Sequence, residues 1–185
     1  MSTVKPVSKK EQTRERILRA AARAIRKHGY EGVGVADVMK EAGLTHGGFY
    51  GYFASKDDLI AEALNEALRS TEWQPADLTA FVEQYLSLRH RDNCAGGCAI
   101  AALASESIRQ GGGARAEMTA SLKRRIDDLS RVAPGADKRR KRRAAIGSLA
   151  ATIGGLILAR MSDDGRLSDE VLSETRAWLA AQLRG

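Results

Sequence analysis

The sequence predicts an all-α fold: an N-terminal three-helix unit built around a helix-turn-helix, then a helical body, about nine helices in total. Three observations carry this. Apolar residues recur at helical spacing along almost the whole chain, with only three prolines, glycines gathered at a few breaks and no convincing strand. Residues 33–56, VGVADVMKEAGLTHGGFYGYFASK, read as a helix, a glycine turn, a short second helix and the start of a capped third. The positive charge is also uneven. Residues 1–56 hold eleven Lys/Arg against five acids, net +6, while the remaining residues hold nineteen against eighteen, net +1. A basic end on a near-neutral body is the footprint of a polyanion-binding domain.

Each element follows from local chemistry. Ser8 with Glu11 three residues on is a capping box. It opens a helix that buries Ile17, Leu18, Ala21, Ala22 and Ile25 and stops at Gly29. Val35, Val38, Met39 and Ala42 share one face of the next helix, and Gly43 supplies the left-handed residue its C-terminus needs. Leu44 is the buried turn residue, and Thr45 offers a hydroxyl cap to the second helix. Ser55, with Asp57 and Asp58 in the first turn, starts a helix carrying Leu59, Ile60, Ala63, Leu64, Ala67 and Leu68 that ends near Trp73–Pro75. This divides the chain into a helix-turn-helix unit over 9–71 and a helical body over 72–185. In the body, helices are expected over Asp77–Arg91, Cys98–Gln110, Ala114–Val132, Asp137–Met161 and Ser168–Leu183, broken at Gly111–Gly113 and Pro134–Gly135.

Spacing also divides the labour within the second helix. Phe49 and Phe53 lie four apart and share a face, so they pack inward. Thr45, His46 and Gly48 point the other way, where backbone N–H groups and the Thr45 hydroxyl meet phosphate oxygens and His46 meets a base edge or a phosphate. Gly47 and Gly48 are poor helix formers whose benefit is close approach of backbone to DNA. Tyr50 and Tyr52 supply phenolic hydroxyls at phosphate distance and Lys56 a charge, while Lys9, Lys10 and Arg14 form a basic arm for the flanking backbone.

Residues 13–64 closely resemble the N-terminal domain of TetR/AcrR-type transcriptional regulators, most specifically through AGLTHGGFYGYFASKDDL. The resemblance implies an all-helical homodimer that binds a palindromic double-stranded operator, usually as a repressor, and is released by a small molecule held in the C-terminal domain. It places Thr45, His46, Gly48, Tyr50, Tyr52 and Lys56 where family members commonly touch DNA. Tyr52 stands where the family often has histidine, and either side chain reaches a phosphate.

In the body, residues 144–159 carry no charge and follow the basic run Lys138–Arg143. The stretch is short and glycine-containing for a bilayer span, so it reads as a buried helix and no membrane partner is expected. With the stripe Val171, Leu172, Thr175, Trp178, Leu179 and Leu183 of the last helix, it would form a twofold four-helix homodimer interface, from about 138–161 and 168–183. The basic run itself reads as a solvated face. A hydrophobic effector pocket is expected among Phe81, Tyr85, Leu88, Cys98, Leu103, Met118 and Leu122. For Cys94 and Cys98 three readings stand: a buried structural thiol, foremost for Cys98; a redox or electrophile sensor; and a metal site shared with His90. No cofactor is implied. Three scattered histidines and no paired nucleophile and base argue against an enzyme. An architectural DNA binder without effector is the other alternative. The N-terminus lacks the apolar core of a secretory signal and two cysteines make no disulfide framework, so a cytoplasmic location is expected.

Overall fold

The computed structural model describes residues 8–70, 75–110 and 112–184. Among these, nine α-helices and one 3-10 helix form the architecture, and no strand occurs. The head comprises α1 (Lys9–His28), α2 (Val35–Glu41), a 3-10 helix (His46–Gly51) and α3 (Lys56–Arg69). The body comprises α4 (Leu78–Tyr85), α5 (Leu88–Asp92), α6 (Ala99–Ser107), α7 (Gly112–Val132), α8 (Lys138–Met161) and α9 (Gly165–Arg184). The expected 71/72 boundary, Trp73 and the Gly111 break lie outside the described residues.

The capping box forms as expected: the Ser8 hydroxyl accepts from the Glu11 N–H at 3.2 Å, and the Glu11 carboxylate accepts from the Ser8 N–H at 2.8 Å. The inner face of α1, with Ile17, Ala21 and Ile25 fully buried, packs on Leu59, Ala63 and Ala67 of α3 in the most extensive helix pairing of the molecule. The alanines let the two axes approach closely, and the leucines fill the remaining space. Truncating Leu59, Leu64 or Leu68 to alanine would cost about 2–5 kcal/mol.

In the body, α8 is the helix that every other body helix touches. It is the one helix among the described residues long and apolar enough to cross a membrane, yet Ala145, Leu149, Thr152, Leu156 and Ala159 form a buried face against its neighbours. Among the small residues of 144–159, Ala145, Ser148, Gly155 and Ala159 pack inward, while Gly147 and Ala150 are exposed.

Several boundaries differ from expectation. The single helix expected over Asp77–Arg91 is two. Ser87 adopts an extended conformation and its hydroxyl caps α5 by accepting from His90 N–H at 3.2 Å. The His90 imidazole folds back to donate Nδ1–H to the Tyr85 carbonyl at 2.7 Å, closing α4. Two local polar bonds outweigh continuation of the helical pattern. The last helix starts at Gly165 rather than Ser168, because the Asp164 carboxylate accepts from the Arg166 and Leu167 N–H groups.

Of the residues expected around an effector, Phe81, Tyr85, Cys98 and Leu103 are each at most 1% exposed, with the Phe81 and Tyr85 ring centroids 5.3 Å apart. The break before α5 turns Leu88 outward to 50% exposure, Leu122 is 39% exposed on α7, and Met118 is half-buried against the core.

Candidate nucleic-acid interface

The turn between the two short elements of the head is set by Gly43 at φ +73°, which lets the Leu44 N–H reach the Met39 carbonyl at 2.8 Å. The following segment is a 3-10 helix rather than the expected α-helix. Two adjacent glycines remove the side-chain and propensity terms that favour an α-helical run, and Gly48 N–H closes a tight turn on the Thr45 carbonyl at 3.2 Å. Thr45 occupies the capping position without a side-chain bond, so its hydroxyl is left for an external partner.

The aromatic pair locks this short element in place. Phe49 and Phe53 are 2% and 4% exposed, stacked with centroids 5.8 Å apart. The Arg14 guanidinium lies 4.9 Å over the Phe53 ring and forms a bidentate pair with Glu62. Arg14, expected in the DNA-gripping arm, is thus tied back into the head as a brace between α1 and α3. Lys9 and Lys10 remain exposed at the start of α1.

On the opposite face, Thr45, His46, Gly47 and Gly48 are exposed and Tyr50 projects at 74% exposure, its ring edge against Phe49. Tyr52 and Lys56 are half-buried at the rim. A Cβ placed on Gly47 would meet nothing within 4 Å. The fold itself does not require glycine there. Lys56 opens α3 beside Asp58, whose N–H is capped by the Ser55 hydroxyl at 3.0 Å. The structure places Thr45, His46, Gly47, Gly48, Tyr50 and Tyr52 on or at the ends of the 3-10 helix, and Lys56 at the start of α3.

Sequence reasoning missed the joint between head and body. Arg26, 8% exposed, donates from Nε to the Ala95 carbonyl at 2.6 Å and from Nη1 to the Ala67 carbonyl and the Ser70 hydroxyl. Burial lowers its pKa from the usual value. Beside it, the Tyr30 N–H donates to Glu106 at 2.9 Å and the Tyr30 hydroxyl meets Ser107 Oγ at 2.8 Å. One arginine among many on a basic helix carries no local signal; Glu106, an isolated acid closing an apolar helix, carries a faint one.

The cysteine segment packs against this joint. His90 uses both ring nitrogens, since Nε2 accepts from the Cys98 N–H at 3.0 Å while Nδ1 is held by Tyr85. Burial lowers its pKa, keeping it neutral and leaving no lone pair for a metal. Cys98 is 1% exposed, the structural thiol expected, and burial beside it pushes the Tyr85 phenol well up. Cys94 is half-buried and lines a groove of about 610 Å³ between α1, α2 and residues 92–95.

Residues 17–63, the segment holding this whole element, match the family model of the bacterial regulatory proteins, tetR family. Over these residues the chain is similar to the TetR family. Its head is similar to that of two Bacillus subtilis (strain 168) proteins, the uncharacterized HTH-type transcriptional regulator YdgC and the HTH-type transcriptional regulator LmrA. Identity is 37% over 59 residues with the first and 42% over 55 with the second. The matches cover 32% and 29% of this chain, and the chain spans only 30% and 29% of the two relatives' lengths. Solved structures extend the likeness in fold to the body. A TetR-family regulator from Cytophaga hutchinsonii superposes with TM-score 0.72 at 19% identity, covering 96% of this chain and 98% of that one. AibR, solved with isovaleryl coenzyme A and operator DNA, gives 0.61 at 20% identity over 90% and 97%. At such identities these TetR-family neighbours speak for the fold alone.

Proposed function

We propose that this chain is a TetR-family, sequence-specific DNA-binding transcriptional regulator, a homodimeric repressor released from a palindromic operator by a small hydrophobic ligand. The observation that carries the reading is the two-faced 3-10 helix. Phe49 and Phe53 fix it from within, while Thr45–Gly48 and Tyr50 stand exposed, amid the net +6 of residues 1–56. Phosphate contacts from Tyr50, Tyr52, Lys56 and Lys10 would position the head, and His46 with the Gly47 and Gly48 backbone would lie against base edges. Such a regulator would work in the cytoplasm.

The homodimer rests on an apolar face without a partner. Ile146, Ile157 and Met161 of α8 are 41–74% exposed, and Leu167 and Trp178 of α9 are 48% and 57% exposed. Trp178, expected with Leu172 and Leu179 in one stripe, stands outside while those two are buried in the body. A twofold pairing of α8 and α9 would cover this face and present two heads to two half-sites. For the effector, the space that suits release is a groove of about 510 Å³ between α3 and α7, lined by Tyr30, Ile60, Leu64, Asn65 and Ala114. It abuts the Tyr30–Glu106 joint, so an apolar ligand entering it would part the head from the body.

The test is selection of bound duplexes from random DNA. The reading expects a palindrome whose half-site centres lie about one helical turn or a multiple apart. Binding without preference at physiological salt would instead support an architectural protein. A second reading, thiol sensing, is favoured by one observation: Cys94 lies in the groove next to Ala95, whose carbonyl anchors Arg26. Operator binding that responds equally to oxidants in the Cys94→Ser variant and the parent would remove it.

A further inference from the structure

Residues 57–185 are near-neutral only as a sum. Residues 123–143 hold ten Lys/Arg and three Asp, net +7, so the rest of residues 57–185 is net −6. The exposed part of this second basic concentration is the hairpin formed by the end of α7, the link Ala133–Asp137 and the start of α8; of the ten cations, Arg125 is buried and Arg124 lines a groove with Arg69.

Its position is opposite to the head. The first turns of α7 flank the first turns of α3, where Asp57, Ile60, Ala114 and Glu117 line one groove. Further along α7, Arg124 faces Arg69 near the end of α3. The 21 residues of α7 then end about 30 Å from its start at a rise of ~1.5 Å per residue. From the hairpin α8 returns to Arg160, which donates to the His90 and Arg91 carbonyls beside the segment that borders α2. Both helices therefore meet the head with the ends away from the hairpin.

The charge at this tip exceeds what the fold neutralises. Each aspartate takes one arginine: Asp127 with Arg142 at 2.7 Å, Asp128 with Arg131 at 2.5 Å and Asp137 with Arg140 at 3.9 Å. Lys138, Arg139 and Lys141 have no acidic partner among the described residues, and Lys138 and Arg139 are exposed. Six consecutive cations also occupy the start of a helix, where the backbone dipole opposes them. Only the Asp137 cap offsets this, through Arg140 N–H at 2.8 Å. These six cations, Lys138 to Arg143, radiate through more than a full turn of α8, an arrangement that suits an extended polyanion surface.

We infer that this hairpin tip is a second, sequence-independent DNA contact, binding the phosphate backbone of a duplex other than the one the head reads. The inference rests on the DNA-binding reading of the head, which supplies duplex as the polyanion at hand. The roughly 30 Å length of α7 keeps the tip off the duplex at the head, so the two contacts bridge separate duplex segments.

The test uses the full chain and a short duplex of about 20 base pairs without operator, followed by fluorescence anisotropy across salt concentrations. Gly47→Glu with Lys56→Glu disables the head. The chain so altered is expected to retain salt-sensitive duplex binding. Adding Lys138→Gln, Arg139→Gln and Lys141→Gln should weaken that binding at least ~10-fold and reduce the salt slope by about 0.9 for each phosphate no longer neutralised. Circular dichroism should show an unchanged fold, since none of the three side chains has an acidic partner among the described residues. Loss of all duplex binding in the head-disabled chain, or indifference to the three glutamines, overturns the inference. So does stronger capture by anionic phosphatidylglycerol vesicles or polyglutamate than by duplex. If instead the head-disabled chain selects the same sequences as the parent, the reading of the head fails, and the two failures stay distinct.

Discussion

The molecule has two basic ends of similar charge and different construction. The head sets its cations around a fixed surface: stacked phenylalanines hold a short helix from behind, and glycines leave its front without side chains. The tip has the density of charge and none of the framing, with no aromatic residue between 123 and 143. A framed surface can compare one base sequence with another; a charged one can only hold phosphate. Charge therefore says where polyanion binds, and packing behind the charge says whether it is read.

Breaking the frame should have the largest effect. Phe53→Ala removes the stacking partner of Phe49 and the seat of Arg14, and should cost about 3–5 kcal/mol in urea unfolding. The three tip glutamines should stay within about 0.5 kcal/mol, or stabilise slightly by relieving cations at a helix start. Equal costs at the two ends would end the distinction. Next, Tyr50→Phe combined with Lys56→Ala should weaken operator binding by roughly 10–100-fold across sequences and lower the salt slope by about 1–2.

Gly47→Ala sharpens the contrast further. An added methyl meets nothing in the fold, so stability should hold or rise by up to about 1 kcal/mol, while operator affinity falls by roughly 10-fold because the methyl meets DNA. Unchanged affinity would mean the glycine backbone lies off the duplex.

The smallest effect concerns His90, which both DNA surfaces lack as a neighbour. Its folded pKa lies below the ordinary 6.5 because burial disfavours the cation. The unfolded chain therefore binds the proton more readily, so stability is full above about pH 6.5 and declines as pH falls below it. Thermal unfolding followed from about pH 7.5 to about 5.5 should show this decline, reduced in His90→Asn.

The head was almost wholly legible from sequence because its signals are local: a cap, a glycine at positive φ, two phenylalanines four apart. What local rules missed there is the 3-10 geometry, where two glycines outweighed the helical pattern, and the pairing of Arg14 with Glu62. The body was legible as helices and not as a binding site. Phe81, Tyr85 and Cys98 have the composition of a pocket, but a filled core and a pocket share that composition, and only long-range packing separates them. The basic run at the tip was plain in the sequence, but spacing alone reads Lys138–Arg143 as a solvated face and does not show its distance from the head. The Arg26 and Glu106 joint is a contact between residues 69 or more apart, which no spacing rule registers.

Parallel selection from random duplex DNA by the parent chain, the tip triple-glutamine variant and the Gly47→Glu, Lys56→Glu head variant tests the division most directly. The account predicts one and the same palindromic motif from the parent and the tip variant, and none from the head variant. Enrichment of that motif by the head variant, or its loss in the tip variant, would contradict it.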